Sequence, residues 1–208
     1  RASFEDEGTA VQRIDFTQIN HGRTDMKGAL IRRADGAWDL GFHGASLDLA
    51  PVWKDLMDGG GKEVFGDFVL AAEFEKVWID ADRSLADVSG TFQREDQIWR
   101  TVYLQTMLDN KTALNVSLKP GADGNRTLEI DAADAGVVLR TLGLYENMQG
   151  GLMQLTGTFA DNQPDRPLKG QLIVRDYRVL KAPALAHLVS IMALTGILDA
   201  LEGDGLGF

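Results

Sequence analysis

Cysteine is absent from this 208-residue chain, which excludes disulfide scaffolds, thiolate metal sites and cysteine catalysis together. Histidine is nearly as scarce. His21, His43 and His187 are the only three, and none has a second histidine two to four residues away, so the short-spaced ligand sets of zinc are missing. Basic residues are outnumbered: 21 Lys+Arg against 31 Asp+Glu gives a net charge of −10. No basic stripe appears, and nucleic acid is not an expected partner.

The motifs of catalysis are missing as well. None of the six serines sits in G-x-S-x-G, and His43-Gly44-Ala45-Ser46 lacks the flanking glycines of a nucleophile elbow. No phosphate-cradling P-loop and no dinucleotide fingerprint occurs. Asp80, Asp82 and Ser84 begin like a calcium loop, but Leu85 stands where glycine is needed and Thr91 where glutamate is needed. Carboxylates are plentiful without any two standing out as a glycosidase pair. Asp39, Asp48 and Glu129 read as the solvated side of strands. The sequons at Asn110, Asn115 and Asn125 mark a polar strand face. The expectation is a protein that is not an enzyme and carries no cofactor and no metal.

Hydrophobic residues make up 44% and charged residues 25%, the balance of a globular chain with a sizeable core. Glycine is over-represented, 23 residues or about 11% against a usual share of about 7%. The dominant pattern is alternation of period two, the mark of half-buried strands. Ile14 and Phe16 share a face in 12–18. Asp35-Gly36 separates 27–33 from 37–43 and predicts a tight hairpin with both turn positions at positive φ. Trp38, Leu40 and Phe42 then lie opposite Asp39, Gly41 and His43. Phe68, Leu70, Ala72 and Phe74 alternate with Val69, Ala71, Glu73 and Glu75. In 97–105, Ile98, Val102 and Leu104 oppose Trp99, Thr101, Tyr103 and Gln105. Leu114, Val116 and Leu118 continue the scheme, as do Leu128 and Ile130, then Met153, Leu155 and Phe159, then Leu168, Leu172 and Val174. One apolar face recurring in strand after strand predicts a mainly β, mostly antiparallel sheet of about nine to eleven strands.

Three interruptions read as helices: 51–58 starting at Pro51, 134–144 behind an Asp cap, and 183–201 starting at Pro183. Each runs into a glycine break, at Gly59 to Gly61, at Gly150-Gly151, and at Gly203 with Gly205. This loose repeat points to an elongated, quasi-repeated β architecture with sub-units 12–62, 64–151 and 152–208; an irregular α+β domain with three connecting helices is the alternative. The last helix is unusual. From Ala182 to Leu198 no residue is formally charged, and its apolar side chains go almost all the way round. Such a helix is buried in protein or in lipid, and its roughly 25 Å is slightly short of a hydrocarbon core. The chain opens at Arg1 without signal-peptide features and stops at Gly205-Leu206-Gly207-Phe208. It therefore reads as a fragment of a longer protein, with targeting information outside it.

The C-terminal third carries a resemblance. Gly170-Gln171-Leu172-Ile173-Val174-Arg175-Asp176-Tyr177-Arg178-Val179, then Lys181-Ala182-Pro183, then 184–201, then Gly203-Asp204-Gly205-Leu206-Gly207-Phe208 resembles the C-terminal region of bacterial AsmA-like proteins, nearest their YhdP-type branch. Ser190, Thr195, Gly196, Leu198, Leu201, Gly203, Gly205 and Phe208 match that pattern in order, with Tyr177 in place of Phe and Leu206 in place of Ile. Gly150-Gly151-Leu152 with Gly157, and Leu47-Asp48-Leu49, match more loosely. The resemblance implies a segment of a periplasmic protein anchored in the inner membrane and related to chorein-like bridge proteins. It also implies a curved sheet forming an open groove that carries phospholipid acyl chains between inner and outer membrane. The family supplies no catalytic residue. Alternation nominates the groove lining as Trp38, Leu40, Phe42, Phe68, Leu70, Phe74, Val102, Leu104, Leu114, Val116, Met153, Leu155 and Phe159. Pro183, Leu185, Leu188, Met192, Thr195, Gly196 and Leu198 are expected to form a helix that caps it. The competing expectation is a structural or assembly module of the bacterial envelope whose apolar faces are all packed internally.

Overall fold

The structure, a computed structural model, describes residues 2–4, 11–57, 66–109 and 111–180. It is mainly β: one open, mostly antiparallel sheet with two helices. The strands are β1 (Ala2–Phe4), β2 (Val11–His21), β3 (Thr24–Arg32), β4 (Trp38–Asp48), β5 (Phe68–Trp78), β6 (Ser84–Glu95), β7 (Ile98–Leu108), β8 (Thr112–Pro120), β9 (Arg126–Ala132), β10 (Met148–Phe159) and β11 (Leu168–Val179). They lie side by side in chain order. Every neighbouring pair is antiparallel except β4 and β5, which run parallel. A parallel pair needs a crossover, and α1 (Ala50–Met57) lies in that connection. The expected third helix, 183–201, lies outside the described residues.

Helix ends follow local chemistry. The α1 start is held by Asp48, whose Oδ1 accepts the Ala50 N–H at 3.1 Å. Asp134 caps α2 (Ala135–Thr141), its side chain accepting the Val137 N–H at 2.9 Å. The expected helix 134–144 is too long at its C-terminal end. Gly143 adopts φ +74°, its N–H donates to the Arg140 carbonyl at 3.0 Å, and the Leu144 N–H donates to the Leu139 carbonyl at 2.8 Å. That double bond pattern closes the helix at the residue before the glycine. Arg83 adds donors to the carbonyls of Arg140 and Thr141 at 3.4 and 3.3 Å, a cation where the helix dipole favours one.

Three other expectations need correction. The Asp35-Gly36 hairpin is a three-residue loop, closed by the Arg33 N–H on the Ala37 carbonyl at 2.8 Å; only Gly36, at φ +90°, takes the left-handed conformation, as such loops require. Gly150-Gly151 is no break but lies inside β10, with both residues at positive φ. Trp99 shares the face of Val102 rather than opposing it. The register slips by one between β6 and β7 beside Arg94, so that Trp99 packs with Phe92 and Phe68, ring centroids 6.3 and 5.7 Å apart. A bulge of this kind switches which residues face inward. A second one lies at Asp87, at φ +48°. Through it Leu85 and Val88, three residues apart, both face the same buried cluster, and the buried Thr106 hydroxyl donates to the Ala86 carbonyl at 2.8 Å.

The core sits on one face of the sheet. At one end Phe74, Val77, Ile79, Leu85, Leu108 and Leu114 pack with Val137 and Val138 of α2, and Trp53 of α1 adds to them. At the other end Val102, Leu118, Leu128 and Phe159 form a second cluster.

Candidate functional site: one apolar face of the sheet

Directly paired residues in a sheet point to the same side, so the register shows what each face carries. Starting in β2, one lateral row reads Ile14, Leu30, Leu40, Leu70, Phe92, Val102, Leu118, Leu128 and then Gly157 in β10. The next row reads Phe16, Gly28, Phe42, Ala72, Gly90, Leu104, Val116, Ile130, Leu155 and Leu172. No charged or polar side chain interrupts either. At about 4.8 Å between strands, the nine steps from β2 to β11 span about 43 Å. The thirteen residues nominated from alternation all fall on this face. Trp38 and Phe68 flank the first row, Phe74, Leu114 and Met153 flank the second, and Phe159 lies beside Gly157's row.

Their burial differs. Phe68, Phe74, Val102, Leu114 and Phe159 are buried, whereas Trp38, Leu40, Phe42, Leu70, Leu104, Val116, Met153 and Leu155 are half-buried. Phe16, Phe92, Trp99, Leu118, Leu128, Ile130 and Leu172 were not nominated and belong to the same face. Leu118, Leu128, Ile130 and Leu172 were legible from the same alternation; Trp99 was hidden by the bulge. The nominated capping residues Pro183, Leu185, Leu188, Met192, Thr195, Gly196 and Leu198 lie outside the described residues.

Glycines on this face mark close approach. A Cβ on Gly28 would strike the Gly41 carbonyl oxygen and the Phe42 ring, while Gly41, on the opposite face of the next strand, has nothing within 4 Å. Backbone and rings therefore crowd the apolar side, where Phe16 and Phe42 meet with centroids 6.2 Å apart.

Charge pins the two ends of the face. At one end the Arg126 guanidinium, 1% exposed, binds Asp161, 8% exposed, at 2.7 Å. It also donates to the Trp99 carbonyl at 2.8 Å and lies 4.5 Å from the Phe159 ring centroid. Arg126 escaped notice because it opens a strand otherwise read from Leu128 onward; its even spacing from Leu128 places it on the apolar side. At the other end Arg23 forks onto both Asp48 oxygens at 2.9 and 3.0 Å and donates to the Asp80 and Ala81 carbonyls. Asp48 is thus not the solvated strand residue expected. The Arg23 fork holds its carboxyl below the ordinary range, helped by the Ala50 N–H. Asp80 is lowered in the same way, chiefly by Arg83 and then by the Ala81 N–H.

The opposite face is polar. One of its rows reads Lys27, His43, Glu73, Ser89, Gln105, Asn115 and Asp131. Two adjoining hollows of about 690 and 420 Å³ open there and share Ser89 and Thr91. Among the described residues, no group of three His, Asp or Glu side chains is placed to hold a metal ion, and no helix is long and apolar enough to cross a membrane.

Comparison with protein-family models, with curated proteins and with solved structures finds no match.

Proposed function

We propose that the apolar face handles phospholipid acyl chains, as one segment of an AsmA-like periplasmic protein that conducts lipid between inner and outer membrane. The observation that carries this reading is the pair of lateral rows, apolar over nine and ten strands and without a charged residue in either. An ordinary two-layer domain covers such a face with helices or a second sheet. Here α1 and α2 pack on the Phe74–Leu114 end, and the row through Phe16, Phe42, Leu104, Val116 and Leu155 stays half-buried among the described residues. Half-exposed apolar surface of that extent marks an interaction site. An acyl chain needs apolar surface and no catalytic group, in keeping with a non-enzymatic role. The family and the compartment rest on the resemblance of 170–208, residue by residue.

Native mass spectrometry of the gently purified chain tests the reading. Bound phospholipid is expected in wild type and is expected to vanish in Phe42→Asp while the fold remains. If wild type carries no lipid and Phe42→Asp fails to fold, the face is ordinary core and the envelope-module reading takes its place.

A further inference from the structure

A third lateral row on the apolar face differs from the two described above. Arg32 pairs with Trp38, Trp38 with Phe68, Phe68 with Arg94, and Arg94 with Trp99. Five neighbouring strands thus place two guanidinium groups and three aromatic rings side by side on one edge of the face. The two arginines stand three strand spacings apart, about 14 Å between backbones, and bracket the Trp38–Phe68 pair. The next row inward is Leu40, Leu70, Phe92 and Val102, so the charged edge adjoins the apolar floor directly.

Two other arginines near this edge are paired with carboxylates. Arg33 pairs with Asp35 at 2.9 Å and reaches Asp39 at 4.0 Å. Arg100 takes Glu95 at 3.5 Å and Asp96 at 3.6 Å. Asp67 accepts the Asp96 N–H at 2.9 Å. Among the described residues, Arg32 and Arg94 make no ion pair with an acidic side chain, in a chain of net charge −10. Two such cations beside an apolar floor suit an anionic amphiphile. A guanidinium binds a phosphate through two parallel hydrogen bonds, and indoles favour the boundary between an apolar and a wet environment.

We propose that Arg32 and Arg94 bind the phosphate of a phospholipid headgroup at this edge, with Trp38 and Trp99 at the boundary and the acyl chains on the two apolar rows. This assignment rests on the acyl-chain reading above and adds to it where the headgroup sits and which charge it carries.

The test titrates the full chain with monomeric dihexanoylphosphatidylglycerol, with neutral dihexanoylglycerol and with inorganic phosphate. The indole N–H resonances of Trp38 and Trp99 report occupancy. Wild type is expected to bind the phosphatidylglycerol more tightly than the neutral glyceride. Arg32→Ala with Arg94→Ala is expected to weaken the phosphatidylglycerol by about tenfold or more and to leave the neutral glyceride unchanged. Arg94→Lys keeps the charge, loses the fork and falls in between. Equal binding of the two lipids by wild type, or an unchanged phosphatidylglycerol affinity in the double variant, overturns the headgroup assignment while the acyl-chain reading stands. Inorganic phosphate moving the same resonances at the affinity of the lipid also overturns it, in favour of a free-anion site. If neither lipid moves them, the acyl-chain reading fails and this assignment with it.

Discussion

Strands β2–β4 and strands β5–β10 carry the same alternation of apolar and polar residues, and their rows join without a break, yet the two regions are packed differently. Every fully buried side chain among the described residues lies in β5–β10, in α2 or in the connections between them. Through β2, β3 and β4 the same face carries Ile14, Phe16, Leu30, Leu40 and Phe42 at half burial. The difference comes from what lies above the sheet. In β5–β10 the rings and branched side chains cover one another, and α2 closes the end through Val137 and Val138. Apolar stabilisation scales with area removed from water, so equal residues contribute unequally in the two regions. The packed region holds the fold, and the half-buried one is where a ligand gains most by covering surface.

The sharpest test of that contrast is the Arg126–Asp161 pair. Arg126→Met leaves the Asp161 carboxylate buried without its partner and is expected to cost about 3–5 kcal/mol in urea unfolding. Replacing both, Arg126→Met with Asp161→Asn, is expected to recover much of the loss. If the single variant unfolds like wild type, the pair is not a pin of the packed region.

Truncating one phenylalanine in each region compares them directly. Phe159→Ala is expected to cost about 3–5 kcal/mol, the range for a fully packed aromatic. Phe42→Ala, half-buried, is expected to lose only about 1–2 kcal/mol. Equal losses would erase the distinction between the two regions.

Two glycines on adjacent strands sharpen it further. Gly28→Ala pushes a Cβ against the Gly41 carbonyl and the Phe42 ring, and overpacking of this kind costs about 1–3 kcal/mol. Gly41→Ala meets open space and is expected to stabilise by about 0.5–1 kcal/mol, because alanine is less free in the unfolded chain. A melting-temperature series on the two variants reads opposite signs if the apolar side is the crowded one.

The smallest expected effect is acid sensitivity at the Arg23 end. The carboxyls of Asp48 and Asp80 are lowered in the folded state. Their contribution is fully present above the unfolded carboxylate value near pH 4 and is lost as pH falls through the lower folded values. Asp48→Asn is expected to lower stability at pH 7, where the contribution is present, and to flatten the fall below about pH 4, where wild type loses it. An unchanged acid profile would remove Asp48 from the clasp between β4, α1 and the β5–β6 turn.

Much of this was open to reading from residues. Alternation located nearly every strand from β2 to β11, and it placed Trp38, Leu40, Phe42 and the other ten nominated side chains on a common face. Pro51 and Asp134 announced their helices through capping chemistry. The misreading of Trp99 has a plain cause: alternation assumes an unbroken count of two. A slip beside Arg94 turned Trp99 inward, and Asp87 at positive φ turned Leu85 and Val88 to the same side. Bulges cost a local reading its phase because the partner strand decides where the extra residue goes. The Arg126–Asp161 pair was equally out of reach, since its two members are 35 residues apart.

By itself, then, the sequence determined the class and the faces of this protein. The repeat of two makes strands, its apolar half makes one side of a sheet, and proline, aspartate and glycine mark the helix ends, all through interactions that span a few residues. Only the tertiary structure decided that all eleven strands lie in chain order with one parallel step between β4 and β5. It also decided that Arg32 and Arg94 flank the same two rings and that β5–β10 is packed where β2–β4 is half-open. Those outcomes depend on which residue of one strand stands opposite which residue of the next, and on what covers them. Both are set by packing between distant segments, where no local pattern reaches.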